Sequence, residues 1–334
     1  MKPIAVIILN WNGAKLLKEF LPKVVETTDE DLADVIVADN GSTDDSLEII
    51  SGGFQAVKTL TFEKNYGYAE GYNRAIDATG YKYTVLLNSD VATADGWLRP
   101  LYELMESNPD VGACQPKILS YSEPEKFEYA GACGGFIDRN GYPYCRGRVF
   151  SNVETDHGQY DEPMSIFWAT GAALMIRTDL YQKVGGLDTS FFAHMEEIDL
   201  CWRVLLAGKD IKVEPKSVIY HLGGGSLPAS SPRKTYLNFR NNLLLLYKNL
   251  PVKSRRATLI RRRLYDAIAW AKFFVTFDFK NASAILKAHK DFRRMKSNYS
   301  TSPEINLLKT RPDCRRNIIV DYYLRRRTTF NKLF

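Results

Sequence analysis

Short apolar runs alternate with stretches of helical periodicity through the first third of the chain. IAVIIL, DVIVAD, VKTLTF and YTVLLN are rich in β-branched and aliphatic residues. Between them, AKLLKEFLPKVVE, the stretch after GSTDDSLEII and the stretch opening near Tyr68 read as amphipathic helices. Strands apolar on both faces and separated by helices predict a parallel sheet covered on two sides, an α/β doubly wound unit. Each run ends in polar residues: Asn10 to Asn12, Asp39 to Ser42, Asn65 to Gly67 and Asn88 to Asp90. Ligands of such sheets lie beyond the carboxyl ends of the strands, so four segments are expected to converge on one crevice.

From about residue 110 the pattern becomes strand-rich and irregular, in CQPKILSY, YAGACGGFID and FWATGAALMIRTDLY, and predicts a mixed extension of the sheet with a second binding surface. The helix YLNFRNNLLLLYKNL follows, closed by Pro251, and then a basic helical tail, which divides the chain into 1–110, 111–250 and 251–334. With 45% hydrophobic and 25% charged residues the chain is globular rather than disordered. Its net charge of +6 hides a split. Residues 253–334 hold 21 Lys or Arg against 6 Asp or Glu, a balance of +15, and the remainder carries −9. The two parts face different partners. Cys114, Cys133, Cys145, Cys201 and Cys314 form no CxxC pair, which argues for reduced thiols rather than a disulfide framework or a zinc site. The opening MKPIAVIILNWN reads as a first strand and not as a secretory leader.

FFAHMEEIDLCWR sets three carboxylates within four positions. On a helix Asp199 precedes Arg203 by one turn and can pair with it. Glu196 and Glu197 repel, an arrangement tolerated where a cation, a hydroxyl proton or a backbone amide waits. In VADNGSTDDS, Asp39 and Asn40 either belong to a capped strand-to-helix turn or bond a base or ribose. NYGYAEGYN, with Asn65, Gly67, Ala69, Gly71 and Asn73 at alternate positions, suits close approach to a ligand or tight helix packing. LLNSDV runs a strand into Asn88, Ser89 and Asp90 and delivers a carboxylate where magnesium or manganese finds oxygen ligands. His221, followed by glycines in YHLGGGS, suits a metal or diphosphate contact under a closing lid. Neither GxGxxG nor GxxxxGK[ST] occurs, which disfavours dinucleotide and phosphate-loop folds.

Taken in order, IILNWN, VADNGSTD, NYGYAEGYN, LLNSDV, WATGAALMIR, GGLDTSFFAHMEEIDLCWR and YHLGGGS make residues 3–245 resemble the inverting family-two glycosyltransferases, in particular their rhamnosyltransferase-like branch. The resemblance implies a GT-A fold: a Rossmann-like, mostly parallel doubly wound sheet flanked by helices, with a nucleotide-sugar half, an acceptor half and here a basic helical C-terminal extension. It implies a dTDP-, UDP- or GDP-linked sugar donor and a divalent cation, Mg2+ or Mn2+, held by Asp90 and His221. Asn10, Asn12, Asp39, Asn40, Asn65, Gly67, Asn73, Asn88 and Ser89 would serve the donor. Glu197 would be the general base for an acceptor hydroxyl, with Glu196 beside it as the other member of the acidic pair.

RRRLYDAIAWAKFFVTFDFK is interrupted by Asp266, Lys272 and Asp278 and falls short of the roughly 20 apolar residues of a spanning helix. Leu264, Ile268, Ala271 and Val275 form a stripe flanked by arginines, which suits an anionic membrane surface; packing on the catalytic part is the alternative. No nucleic-acid motif is present. The expectation is a cytoplasmic enzyme, peripheral on the inner face of the membrane, that glycosylates a polysaccharide or lipid-linked precursor. A nucleotidyltransferase would need a basic triphosphate loop, for which IILNWNGAKLL offers only Lys15, and a dead sugar-nucleotide sensor is at odds with intact Asp90, Glu196, Glu197 and His221.

Overall fold

The computed structural model describes residues 2–223, 231–300 and 302–334. Its first half alternates as the periodicity predicts: β1 (Ile4–Asn10), α1 (Ala14–Thr27), β2 (Ala33–Asp39), α2 (Ser46–Gly53), β3 (Lys58–Thr61), α3 (Tyr68–Asp77) and β4 (Tyr83–Leu87). β1 pairs in parallel with β2 and β4, and β2 with β3. Because both faces of these strands are apolar, each face builds its own core. Val6, Ile8, Val37, Val85 and Leu87 pack with Leu17, Leu21 and Val24 of α1. Ala5, Ile7, Ile36 and Leu86 pack with Tyr72, Ala75 and Ile76 of α3. β3 departs from the expected buried strand: its KTLT pattern leaves Lys58, Thr59 and Thr61 exposed at the sheet edge, where charge discourages further pairing.

The second half adds β5 (Val91–Thr93), α4 (Leu98–Ser107) and β6 (Val111–Ser120), then a small antiparallel sheet of β7 (Gly135–Ile137), β8 (Pro143–Cys145), β9 (Arg148–Val149) and β10 (Asn152–Val153). It continues with β11 (Met164–Ser165), β12 (Ala173–Arg177), α5 (Thr178–Lys183), α6 (Glu196–Leu206) and β13 (Asp210–His221). β12 inserts antiparallel between β4 and β6, giving the order β11-β13-β6-β12-β4-β1-β2-β3. The last residues of β13 also pair with β5, and this register sets His221 opposite Val91, next to Asp90.

Three helices follow: α7 (Pro232–Asn249), α8 (Val252–Val275) and α9 (Phe279–Met295). The leucine run of α7 is fully buried. The helical tail expected to reach the C-terminus stops short. Residues 302–334, broken by Pro303 and Pro312, instead cross the small sheet in short helical turns, with the Phe330 ring tilted against that of Phe136 at 5.0 Å and Ile318 and Leu333 buried in the shared core. All five cysteines are free and buried. Among the described residues no helix is long and apolar enough to cross a membrane.

Candidate active site

The strand-end loops are knitted to one another. Asp39, buried, accepts hydrogen bonds from the Asn10 side chain (3.0 Å) and the Ser42 backbone (3.0 Å). Asn12 accepts the Thr43 N–H at 2.8 Å. Asn40 donates to Asn65 Oδ1 (3.0 Å) and to the Gly67 carbonyl (3.1 Å), and accepts the Tyr66 N–H at 3.0 Å, so its side chain shapes the 65–67 loop. Asn10, Asn12, Asp39, Asn40, Asn65 and Gly67 thus belong to one hydrogen-bonded set of strand-end loops. Gly41 allows the close passage: at its φ of +75° an added Cβ would lie 2.5 Å from the Lys64 backbone. Asn73 stands apart from these loops: its amide donates to the Leu187 carbonyl and its oxygen accepts from Tyr181 and Leu187 N, so the side chain braces α3 against the 181–187 turn.

Asn88, Ser89 and Asp90 occupy the turn between β4 and β5, each partly exposed. Asp90 Oδ1 lies 3.1 Å from His221 Nε2, and the Asp90 carbonyl accepts the Leu222 N–H at 3.0 Å. Behind the imidazole sits buried Glu128, to which no motif points; its Oε1 is 3.6 Å from His221 Nδ1. Burial alone would lower the His221 pKa, but the carboxylates of Asp90 and Glu128 outweigh it and raise it to about 10. Burial likewise works against the Asp90 carboxylate, and His221 more than compensates, holding it below its ordinary range. At Gly223 an added Cβ would meet Glu128 Oε1 at 2.9 Å. The rest of the expected lid, Gly224, Gly225 and Ser226, lies outside the described residues.

The acidic pair opens α6 after a backbone of unusual shape. Phe192, His194 and Met195 have φ of +68°, +66° and +77°, a conformation that costs on the order of 1 kcal/mol or more per non-glycine residue. α7 holds it: the Asn241 amide reaches the carbonyls of Phe191, Ala193 and His194 at 2.7–2.9 Å, and Arg240 reaches Phe191 O at 2.8 Å. The sequence carried a cue here, since RNN precedes a leucine run and Arg240, Asn241 and Asn242 are all buried. Asp199 braces α6 from within, paired with Arg203 (2.8 Å), Lys248 (2.8 Å) and Asn249 (2.7 Å). Trp202 packs edge-on against Phe167, and burial, helped by Lys234, pushes the His194 pKa down to about 4. Replacing Asn241 by Ala is therefore expected to destabilise the protein by about 3 kcal/mol, because three carbonyls lose their shared donor. Urea denaturation measures this, and an unchanged midpoint would show that the clamp does not hold the turn.

Glu196 is buried with Oε2 unpartnered among the described residues, whereas Glu197 is partly exposed. Burial and the neighbouring Glu197 charge push the Glu196 pKa well up, and burial raises that of Glu197 to about 7. Tyr68, missed among its small neighbours in the motif, links these acids to the strand-end turn. Its hydroxyl donates to the Gly171 carbonyl at 3.1 Å and stands 3.5 Å from Asn88 Oδ1. Burial raises its pKa, as do the charges of Glu196 and Glu197, and its ring meets Tyr72, which feels Asp90. The segment before β12 ties the same turn to α6, with the Asn88 N–H bonded to Ala172 O and the Ala169 N–H to Cys201 Sγ, one turn beyond Glu197. Tyr68 and this segment thus connect the Asn88–Asp90 turn to the helix that carries the acidic pair.

The chain is 25% identical over 244 residues to N-acetylglucosaminyl-diphospho-decaprenol L-rhamnosyltransferase of Mycobacterium tuberculosis, an overlap of 65% of this chain and 76% of that one. Two solved structures share the fold. GalNAc-T7 with UDP, GalNAc and Mn2+ gives a TM-score of 0.60 at 15% identity over 90% of this chain, which spans 58% of that neighbour. The mannosyltransferase PcManGT from Pyrobaculum calidifontis with GDP-Man and Mn2+ gives 0.53 at 14% identity, covering 88% and 83%. The sheet is that of the GT-A glycosyltransferases. Residues 5–185, from β1 past the Asp90 turn and β12, match the family model described as glycosyl transferase family 2, and the chain belongs to that family of glycosyltransferases.

Proposed function

We propose that the protein is a metal-dependent inverting glycosyltransferase that moves a sugar from a nucleotide sugar to a hydroxyl of a saccharide or lipid-linked saccharide at the inner membrane face. Rhamnose is the first sugar to test, on the strength of the mycobacterial relative's name. The observation that supports the reading is Tyr68, which stands beside the Asn88–Asp90 turn that carries the Asp90–His221 pair and feels the charges of Glu196 and Glu197.

The donor set suits a divalent cation completed by substrate. One carboxylate oxygen and one imidazole nitrogen meet, and among the described residues no group of three or more His, Cys, Asp or Glu closes a metal cage. A hard ion held this way keeps positions for phosphate oxygens and water. Asp90 and His221 would hold it, the cation taking the place of the imidazole proton that Asp90 and Glu128 otherwise favour, and when bound it would supply positive charge to the departing diphosphate. Glu128 steadies His221 from behind. The Asn10–Asp39–Asn40 wall shapes the nucleotide side, and Tyr68 fixes the floor between donor and acceptor. Glu197 accepts the proton of the attacking hydroxyl. Glu196, held neutral by burial, leaves Glu197 as the member of the pair that ionises near neutrality. Attack from the face opposite the leaving group inverts the anomeric centre without a sugar bound to the enzyme.

A thermal-shift screen of UDP-, GDP- and dTDP-sugars with Mn2+ or Mg2+ tests the reading, since a ligand bound only by the folded state raises the melting temperature. One nucleotide class is expected to stabilise the protein in a cation-dependent way, and NMR of the product to report the inverted anomer. Stabilisation that ignores the cation, or a retained anomer, would refute the metal-dependent inverting reading.

A further inference from the structure

α8 is built inside out. Its packed face carries Arg255, Thr258, Leu259, Arg262 and Asp266, with Arg262 bonded to Asp266 (2.7 Å) and to Asn242, and Asp266 bonded to His289 (3.0 Å). The opposite face turns Ile260, Leu264, Ile268, Ala271 and Val275 outward, and Leu264, Ile268 and Val275 are 63%, 67% and 69% exposed. Their spacing of three and four residues makes one continuous stripe about 22 Å long. At its end the turn into α9 presents Phe274, Phe277 and Phe279, with Phe277 80% exposed at a φ of +59°.

The charges beside the stripe share one sign. Lys253, Arg256, Arg261, Arg263 and Lys272 are the exposed charged residues of α8, and its single acid, Asp266, is buried. Asp278, in the turn, is used to cap α9. Arg261 also opens into a cleft of about 500 Å³ lined with Arg139, Lys309 and Arg315 and by no acid. Nucleic acid would answer the cations but leave the aliphatic stripe in water. A second copy joined face to face would bury the stripe but set the cations against one another.

We propose that the outward face of α8 and the α8–α9 turn lie flat in the headgroup region of an anionic phospholipid bilayer, the stripe and phenylalanines entering the acyl boundary and the flanking cations meeting lipid phosphates. The proposal rests on the lipid-linked acceptor reading for its purpose, although its test does not. Ordered elements on the catalytic side, the clamp of α7 among them, would then sit a fixed height above the membrane.

Vesicle flotation of the full chain tests this with phosphatidylcholine alone and mixed with phosphatidylglycerol. The protein is expected to float with the anionic vesicles and not the neutral ones. The triple variant Leu264→Ser, Ile268→Ser, Phe277→Ser and the triple variant Arg256→Gln, Arg263→Gln, Lys272→Gln should each bind at least about tenfold more weakly, with unchanged melting temperature because all six side chains are exposed. No flotation of the parent chain, variants that float like the parent, or preferential capture by duplex DNA would overturn the proposal. Cation-dependent donor stabilisation in the same preparations reads the transferase assignment separately, so either can fail alone.

Discussion

Glu197→Gln should lose transfer by about 10²- to 10⁴-fold while keeping nucleotide affinity, because glutamine preserves the shape of the acid and removes its capacity to take a proton. The loss should fall on kcat. Glu196→Gln is expected to retain most of the rate, since burial and the Glu197 charge push Glu196 toward the neutral form that glutamine imitates. The pH profile carries the same assignment. A base works only when deprotonated, so a carboxyl raised from 4.5 to about 7 makes the rate fall as pH drops through neutrality rather than through the ordinary acid range. That limb should vanish in the residual activity of Glu197→Gln. Steady-state kinetics of both variants from acid to mildly basic pH decide the matter, and the opposite ranking would move the base to Glu196.

Asp90→Ala is expected to abolish the cation-dependent part of donor stabilisation and to lower turnover by about 10²- to 10³-fold, the scale for loss of a group that supports developing charge. The His221 imidazole, raised by Asp90 and Glu128, would lose one of the two acids that hold it there. Calorimetric titration of a nucleoside diphosphate with and without Mn2+ measures the first effect independently of turnover. Equal affinity in both conditions for the parent chain would remove the metal from the reading, whatever the variant does.

The convergence of the strand ends was legible in the sequence because the strands are short, apolar on both faces and end abruptly in polar residues; parallel pairing then puts Asn10, Asp39 and Asn88 at one end of the sheet. Asn73 takes a bracing position for a geometric reason. It belongs to the same motif as Gly67 and Tyr68, but five residues along a helix turn a side chain well over a third of a revolution, and it faces Leu187 instead. His221 could be singled out as a rare residue beside glycines, whereas its partner Glu128 could not, because their meeting depends on how β6 and β13 run side by side. The outward stripe of α8 was visible as periodicity. Which face would be buried was not, since that choice rests on the distant contacts of Arg262 and Asp266 with Asn242 and His289.

The turn before α6 has a practical consequence for anyone who moves this catalytic unit between proteins. The segment that matches the family ends at residue 185, yet Glu197, His221 and the Asn241 amide that shapes the backbone ahead of the acids all come later. On the assignment proposed above, a chimera cut at the family boundary would import the donor-side loops and leave Glu197, the proposed proton acceptor, behind. The smallest portable piece must run through α7, and libraries aimed at acceptor choice should leave Arg240 and Asn241 untouched while they vary the cleft.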